Sequence, residues 1–253
     1  SIVKYPNTIE ARVWGRYALF SDPITRVGGE KYTYPVPTYQ ALKGIMESCY
    51  WKPTFTWVID AVRIMHVVET ESKGIRPIRY NDGTNDLSIY TYLTNVEYQL
   101  QAHFEWNLYR KDLAKDRNEN KHYWIARRML ERGGRRDIFL GTRECQGYIE
   151  PCVFGEGEGA YDHSPSMPLG VMVHGITYPD ESSNQMMQVR LWHPVMEERG
   201  IIHFCRPEEC PMIRPIRKGT VKSFVIGNTM QSCDDLEKEM NSDGMAGSLH
   251  FRI

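Results

Sequence analysis

The sequence predicts an α+β fold, because two kinds of hydrophobic periodicity follow one another along the chain. Apolar and polar residues alternate strictly over residues 96–106, a period of two that is typical of a strand with one buried and one hydrated face. From Thr38 the pattern changes to a helical period with one apolar stripe. No stretch of the sequence approaches the roughly 20 apolar residues that a membrane-spanning helix needs, and no membrane association is expected.

The remaining elements are predicted from short apolar runs and from the residues that bound them. The first helix begins after Thr38, whose hydroxyl can cap it, and ends before Pro53, which cannot continue a helix. A second helix is predicted over residues 119–132, with Gly133 and Gly134 at its end. Further strands are predicted over residues 11–20, 55–68, 137–140, 171–178, 189–192 and 201–204.

The order of these elements predicts two regions. Strand, helix, strand, strand, helix, strand with antiparallel pairing is the split βαβ pattern, so residues 1–146 are predicted to form a ferredoxin-like (RRM-like) N-terminal domain. Residues 147–253 are predicted to form a β-rich C-terminal subdomain with a short acidic helix after Cys233 and a flexible or weakly ordered tail. Residues 155–159 alternate Gly and Glu, and since carboxylates repel phosphate we expect a plain surface loop there.

The composition is that of a globular protein with a sizeable core. The 253 residues are 41% hydrophobic and 25% charged, and the formal net charge of −1 excludes a polycation over the whole chain. Residues 1–6 lack the apolar core of a signal peptide, so a cytoplasmic location is expected.

Cysteine and histidine spacing does not predict a metal site. The six cysteines contain no CxxC pair, and the cluster of His203, Cys205 and Cys210 is too loose for a typical zinc site, so reduced thiols are expected. Several histidines occur singly and are expected to be hydrogen-bonded structural residues: His103, His163, His174 and His193.

Positive charge is concentrated in residues 107–136. This segment holds ten basic and four acidic residues and carries a net charge of +6, which leaves −7 on the rest of the chain. Such a concentration can engage phosphates, and flat side chains within it favour nucleic acid. On charge alone, a solvated helix face with its own ion pairs is equally compatible with the pattern.

Within that segment, Lys121 and His122 place a permanent cation beside a group that can give or take a proton near neutral pH. Metal-free RNA cleavage needs a base for the 2′-hydroxyl, an acid for the 5′ oxygen and a cation for the charged phosphorane. A surface lysine beside a capping histidine is the commoner outcome for such a pair, and spacing alone leaves both interpretations open.

Longer motifs resemble one protein family. They occupy residues 17–31, 36–54, 71–78, 116–123, 133–148, 189–197 and 206–216. From about Ile9 to Ile216 the chain resembles the Cas five family, d subtype, of CRISPR-associated proteins, within the RAMP superfamily. The resemblance implies the ferredoxin-like fold with a β-rich C-terminal part that the element order also predicts.

The resemblance further implies a metal-independent endoribonuclease without a cofactor. It implies cleavage of precursor CRISPR RNA at the 3′ base of the repeat hairpin, leaving 2′,3′-cyclic phosphate and 5′-hydroxyl ends. The protein is then expected to stay on the 5′ handle of the mature RNA with other subunits of the subtype I-C interference complex. The family motifs imply catalytic residues at Tyr50, Lys121 and His122, with Tyr50 aligning or activating the 2′-hydroxyl.

Four arginines of the basic segment are predicted to contact the RNA backbone: Arg127, Arg128, Arg135 and Arg136. Two alternatives stay open. The chain could bind the handle as a structural subunit without cutting it. It could also be a metal-dependent nuclease that uses Asp60, Asp137 or Asp162, although the sequence holds no DxD cluster.

Overall fold

The computed structural model describes residues 6–22, 29–78, 83–179 and 186–218. Within these ranges the chain forms two α-helices, α1 (Tyr39–Cys49) and α2 (Glu119–Glu131). In chain order the strands are β1 (Ile9–Ala18), β2 (Lys31–Tyr32), β3 (Phe55–Ile64), β4 (Thr70–Ile75), β5 (Ser88–Trp106), β6 (Ile138–Phe139), β7 (Gln146–Pro151), β8 (Met167–Pro168), β9 (Met172–Thr177), β10 (Met186–Trp192), β11 (Val195–Met196), β12 (Ile201–His203) and β13 (Met212–Lys218). Short 3-10 turns cover Lys111–Asp116, Glu198–Gly200 and Pro207–Glu209.

The main sheet is built around β5. Its strand order is β12-β3-β5-β1-β7-β6, and β2 and β4 also pair with β5. Every pair in this sheet is antiparallel except β2 with β5. The 19 residues of β5 extend the predicted alternating strand towards its N-terminus by eight residues, because aromatic and β-branched residues precede it.

The prediction of a mixed fold with mostly antiparallel pairing and two helices is confirmed. The ferredoxin-like (RRM-like) arrangement and the division between residues 146 and 147 stay predictions. A second sheet, β13-β10-β9, and the two-stranded β11-β8 lie in the later part of the chain, whereas β7 and β12 pair within the main sheet. The predicted helix after Cys233 and the tail lie outside the described residues.

Thr38 caps α1 and two glycines follow α2 as predicted, whereas the cap at the start of α2 was not predicted. The hydroxyl oxygen of Thr38 accepts a hydrogen bond from the amide of Ala41 at 3.2 Å, which satisfies one of the free donors at the start of α1. At the start of α2 the side-chain oxygen of Asn118 accepts from the amide of Lys121 at 3.0 Å. After α2, Gly133 and Gly134 take positive φ values of 83° and 102°, so the chain leaves the helix at low cost.

Residues 155–159 form a surface loop, but a buried side chain holds it. Arg63 is completely buried and donates hydrogen bonds to the carbonyl oxygens of Glu156 and Gly157 at 3.0 and 2.9 Å. It also donates to a carboxylate oxygen of Asp162 at 2.7 Å. The loop is therefore tied to β3, a connection that its Gly- and Glu-rich sequence does not predict.

Candidate active site

The site lies where the end of α1 meets the start of α2. The backbone amides of Arg135 and Arg136 donate to the carbonyl oxygens of Cys49 and Ser48 at 3.0 and 3.1 Å, which ties the chain after α2 to the end of α1. Tyr50 is the C-cap of α1, and its amide donates to the carbonyl oxygen of Met46 at 2.9 Å. These contacts place Tyr50 beside the other helix.

Tyr50 and His122 are joined by a hydrogen bond across the two helices. The phenolic oxygen lies 2.9 Å from Nδ1 of His122, and Nε2 of that ring lies 2.8 Å from the carbonyl oxygen of Asp116. Because a carbonyl oxygen can only accept, Nε2 carries the hydrogen in the neutral ring. Nδ1 therefore offers its lone pair, and the hydroxyl of Tyr50 donates to it.

Aromatic rings enclose this pair. His122 has no exposed surface and Tyr50 retains 2% of its own. Ring centroids of Phe55, Phe104 and Trp106 lie 5.3 to 6.4 Å from that of His122. Burial raises the pKa of Tyr50 and the negative charge of Asp116 adds to this, so the phenol is protonated at neutral pH.

Asp116 connects the pair to Lys121. The ammonium of Lys121 lies 2.6 Å from one carboxylate oxygen of Asp116, and Thr54 donates to the other oxygen at 2.7 Å. That second oxygen is also 3.3 Å from Nε2 of His122. The hydrogen bond from Lys121, followed by that from Thr54, lowers the pKa of Asp116 to about 2, and the Lys121 side chain is 51% exposed.

The structure therefore brings together all three residues that the motifs imply, and it adds Asp116 as their common partner. Lys121 is the member that solvent reaches, whereas Tyr50 and His122 are covered. Asp116 was not predicted as a site residue, because in the sequence it is one of four acidic residues in the basic segment. Its position at the start of the motif at residues 116–123 was the sequence signal that could have found it. In the structure it ends the 3-10 turn Lys111–Asp116, just before α2.

The four predicted arginines are all exposed, but they form two groups. Arg135 lies near Tyr50, since its amide donates to the carbonyl oxygen of Cys49, the residue before Tyr50. Its positive charge therefore acts to lower the pKa of the phenol, against the effect of burial. Arg128 follows Lys121 by seven residues, so it lies on the same face of α2 about 10 Å further along the axis. Arg127 is one position round the helix and donates to the hydroxyl of Tyr123 at 3.5 Å.

Two exposed tryptophans complete this surface; Trp124 is one of the flat side chains noted in the basic segment, whereas Trp51 was not predicted as part of the surface. Trp124 lies between Lys121 and Arg128 on the same helical face and is 55% exposed. Trp51 is 44% exposed and lines a groove of about 500 Å³ together with Gly44, Glu47, Ser48, Lys52, Pro53, Arg135 and Arg136. Flat rings beside guanidinium groups are suited to stacking on bases and contacting phosphates.

Two of the three acidic residues considered for metal binding, Asp60 and Asp162, have other partners. Asp60 pairs with the ring of His103 at 2.9 Å, and Asp162 pairs with Arg63. Among the described residues, the one group of three metal-ligating side chains with ligand atoms within 4.8 Å is His174, Cys205 and Cys210. No helix in the described part of the chain is long and apolar enough to cross a membrane.

The fold and the site define a mixed α/β protein in which two helices bring a tyrosine, a histidine and a lysine together beside exposed arginines. The sequence profile of one family, described as CRISPR-associated protein (Cas_Cas5) and of the Cas5d type, matches residues 8–204. The chain belongs to this Cas5d family, which confirms the resemblance carried by the motifs.

Individual relatives are similar to most of this chain. A solved structure titled as that of a CRISPR-associated protein is 35% identical with a TM-score of 0.70, covering 82% of this chain and 96% of that chain. A functionally uncharacterized protein from Streptococcus mutans is 38% identical with a TM-score of 0.68 and the same coverage of 82% and 96%. The CRISPR pre-crRNA endoribonuclease Cas5d of Thermus thermophilus is 26% identical over 182 residues, 68% of this chain and 75% of that protein.

Proposed function

We propose that this protein is a metal-independent endoribonuclease that cleaves precursor CRISPR RNA at the 3′ base of the repeat hairpin. The observation that carries the proposal is the 2.9 Å contact between Tyr50 and Nδ1 of His122, with the exposed ammonium of Lys121 beside it. The name of the Thermus thermophilus relative supports the same activity. The RNA would be left with a 2′,3′-cyclic phosphate and a 5′-hydroxyl.

In this mechanism His122 acts through Tyr50, because its own ring is fully buried. The phenol passes its proton to Nδ1 as it takes one from the substrate, and the resulting imidazolium is stabilised at Nε2 by the carbonyl and carboxylate oxygens of Asp116. The pair thus carries one proton between substrate oxygen and imidazole. It can serve the 2′-hydroxyl as a base or the 5′ leaving oxygen as an acid.

Lys121 is the group that stabilises the phosphorane. In the free protein its ammonium is held on Asp116 at the surface, where an incoming phosphate can compete for it. Exchange of one anionic partner for another costs little, since the interaction of exposed charges in water is weak. The phosphorane carries more negative charge than the diester, so the cation binds the transition state more strongly than the substrate.

The exposed arginines and tryptophans on both sides of the site hold the RNA in register. Arg135 and Arg136 contact the RNA backbone near Tyr50. Arg127 and Arg128 extend this contact with the RNA along α2. After cleavage the protein keeps the 5′ handle as a cytoplasmic subunit of the subtype I-C interference complex, with other subunits as partners. The ferredoxin-like N-terminal domain and the β-rich C-terminal subdomain form part of the same proposal.

The test is cleavage of a labelled repeat hairpin in excess EDTA. Wild-type protein is expected to cut at one position near the 3′ base of the hairpin, and His122→Ala is expected to lose this activity by at least about 100-fold. His163→Ala is the matched control, because His163 is exposed on a loop after β7. Cutting that requires added magnesium would overturn the mechanism and would instead support a metal-dependent nuclease that uses carboxylates.

A structural role in binding the handle is the second candidate, and one observation favours it. Tyr50 and His122 are almost inaccessible in this conformation, so substrate must displace neighbouring side chains to reach them. Tight binding of the repeat with no cut by either wild type or His122→Ala would establish this alternative.

A further inference from the structure

A pair of cysteines in the later part of the chain has a geometry that the proposed function does not use. Cys205 and Cys210 flank the 3-10 turn Pro207–Glu209, and their sulfur atoms lie 3.6 Å apart. Cys210 is 7% exposed, whereas Cys205 is half-buried and therefore within reach of a small solute. A small movement would therefore bring the two sulfurs to the separation of a disulfide, and one residue of the pair is partly exposed.

The turn that joins the two cysteines is held firmly. The guanidinium of Arg206 donates to both carboxylate oxygens of Glu105 at 2.9 and 2.8 Å and to Glu208 at 2.6 Å. The backbone amide of Arg206 donates to Glu209 at 3.2 Å. Because the turn is fixed at several points, the two sulfurs are held near one another rather than meeting by chance.

The neighbours of the pair favour a thiolate, and the adjacent histidine has no free nitrogen lone pair to bind a metal ion. Nε2 of His174 lies 2.9 Å from the carbonyl oxygen of Cys205, and Nδ1 accepts from Arg190 at 3.3 Å, so neither nitrogen offers a free lone pair. Arg190 is itself buried and adds a positive charge. The pKa of Cys205 is lowered, first by the hydrogen bond from the Cys210 thiol and then by His174.

We propose that Cys205 and Cys210 are a redox-active pair that closes to a disulfide on reaction with a peroxide. The Cys205 thiolate attacks one oxygen of hydrogen peroxide, so that an S–O bond forms, the O–O bond breaks and hydroxide leaves. The Cys210 sulfur then attacks the sulfenic sulfur, the S–S bond forms, the S–O bond breaks and water leaves with the thiol proton. The two thiols are oxidised and the peroxide is reduced to water.

The turn between the two cysteines lines the same cavity as a ring that packs against the candidate active site. The turn Pro207–Glu209 forms part of the wall of a cavity of about 650 Å³ that Trp106, Glu105 and Arg190 also line. Trp106 is one of the rings around His122, with centroids 5.8 Å apart. A disulfide across the turn would stiffen this wall without altering any residue assigned to catalysis.

The experiment maps the thiols of the full-length protein after treatment with hydrogen peroxide. Trypsin does not cut before proline, and Arg206 and Arg214 each precede one, so residues 200–217 form one peptide that holds both cysteines. We expect this peptide to become lighter by two hydrogen atoms and to resist alkylation until dithiothreitol is added. Cys49 is the internal control, because burial raises the pKa of its thiol to about 12 and it should stay reduced.

Single variants separate the two steps. In Cys210→Ser the reaction should stop at the sulfenic acid of Cys205, which dimedone traps, whereas Cys205→Ser should give no adduct. Alkylation of both cysteines after peroxide to the same extent as Cys49 would overturn the proposal. A disulfide from either cysteine to Cys233 would do the same, as would stoichiometric zinc that protects both thiols before any oxidant is added.

Discussion

The imidazole of His122 is fixed at both nitrogens, and this determines what the ring can do. The carbonyl oxygen of Asp116 occupies Nε2, so the exchangeable lone pair is at Nδ1 and faces the phenol of Tyr50. A phenol with a raised pKa is a poor base by itself, and it needs an acceptor for its proton to act on a substrate hydroxyl. In the proposed mechanism each of these two residues therefore depends on the other.

Tyr50→Phe tests this dependence by removing a single oxygen atom. Cleavage should fall by at least about 100-fold, as for loss of a general acid or base. The protein should also lose about 1–3 kcal/mol of unfolding free energy, because Nδ1 of the buried ring is left without a partner. Single-turnover cleavage and urea unfolding measure the two effects, with Tyr148→Phe, at an exposed residue of β7, as the control. Unchanged cleavage would remove Tyr50 from the mechanism.

Asp116→Asn tests the ion pair with Lys121 through its pH dependence. The pKa of Asp116 is lowered from 3.8 to about 2, so its stabilising contribution is complete above pH 3.8 and is lost as pH falls towards 2. The difference in urea midpoint between wild type and Asp116→Asn should therefore be constant near neutral pH and shrink on acidification through this range. Glu158→Gln, at an exposed loop residue, should show no such trend, and a pH-independent difference for Asp116→Asn would contradict the assignment.

At the scale of elements, α2 presents two different faces to its surroundings. His122, Ala126 and Leu130 are buried at helical spacing, while Lys121, Trp124 and Arg128 repeat along the exposed face. One face therefore carries the buried half of the candidate site, and the other presents the exposed residues that we propose to contact RNA.

Arg135→Ala/Arg136→Ala tests the contribution of the segment that follows α2. Two lost phosphate contacts should weaken repeat binding and reduce the slope of log affinity against log salt by about 2, with a smaller effect on the cleavage rate of bound RNA. Binding titrations at several salt concentrations measure the slope. Arg16→Ala/Arg143→Ala is the matched double control at exposed positions of the chain. An unchanged slope for the Arg135/Arg136 variant would exclude both residues from the interface.

Elements with a local signature were predictable from the sequence, and those that depend on distant partners were not. Thr38 and Pro53 bound α1, and strict alternation marks the core of β5, because each signal lies within one short segment. β13 was not predicted, since Pro215 and its basic residues are atypical of a strand and only its pairing with β10 identifies it. The motifs led to Lys121 and His122, whereas their common contact with Asp116 depends on a turn that no periodicity marks.

At the scale of the whole molecule, Arg63 connects segments that are far apart in sequence. Its partners include Gln99, the loop at residues 156 and 157, Asp162 and the carbonyl oxygen of Arg199. A fully buried guanidinium with all these acceptors joins β3 to the later part of the chain. Removing it leaves the buried Gln99 side chain and the carboxylate of Asp162 without their cation.

Arg63→Ala should destabilise the protein by about 3–5 kcal/mol, the cost typical of breaking a buried ion pair by removing one partner. Arg12→Ala is the comparison, because Arg12 also bridges two carboxylates but its side chain is 39% exposed. That variant should lose at most about 1 kcal/mol. Urea unfolding of both variants measures the difference. Equal losses of unfolding free energy would show that burial does not make the interactions of Arg63 more stabilising than those of Arg12.

The central position of β5 has a consequence for how the chain folds. Ile9 in β1 pairs with Ala102, so a contact at the middle of the main sheet closes a loop of more than 90 residues. Chains whose native contacts are this far apart in sequence reach the transition state slowly, on a scale of milliseconds to seconds, because ordering the intervening segment precedes the gain from pairing. During synthesis, β1 must wait for β5 and β7 to leave the ribosome, and until then neither of its edges has a partner strand.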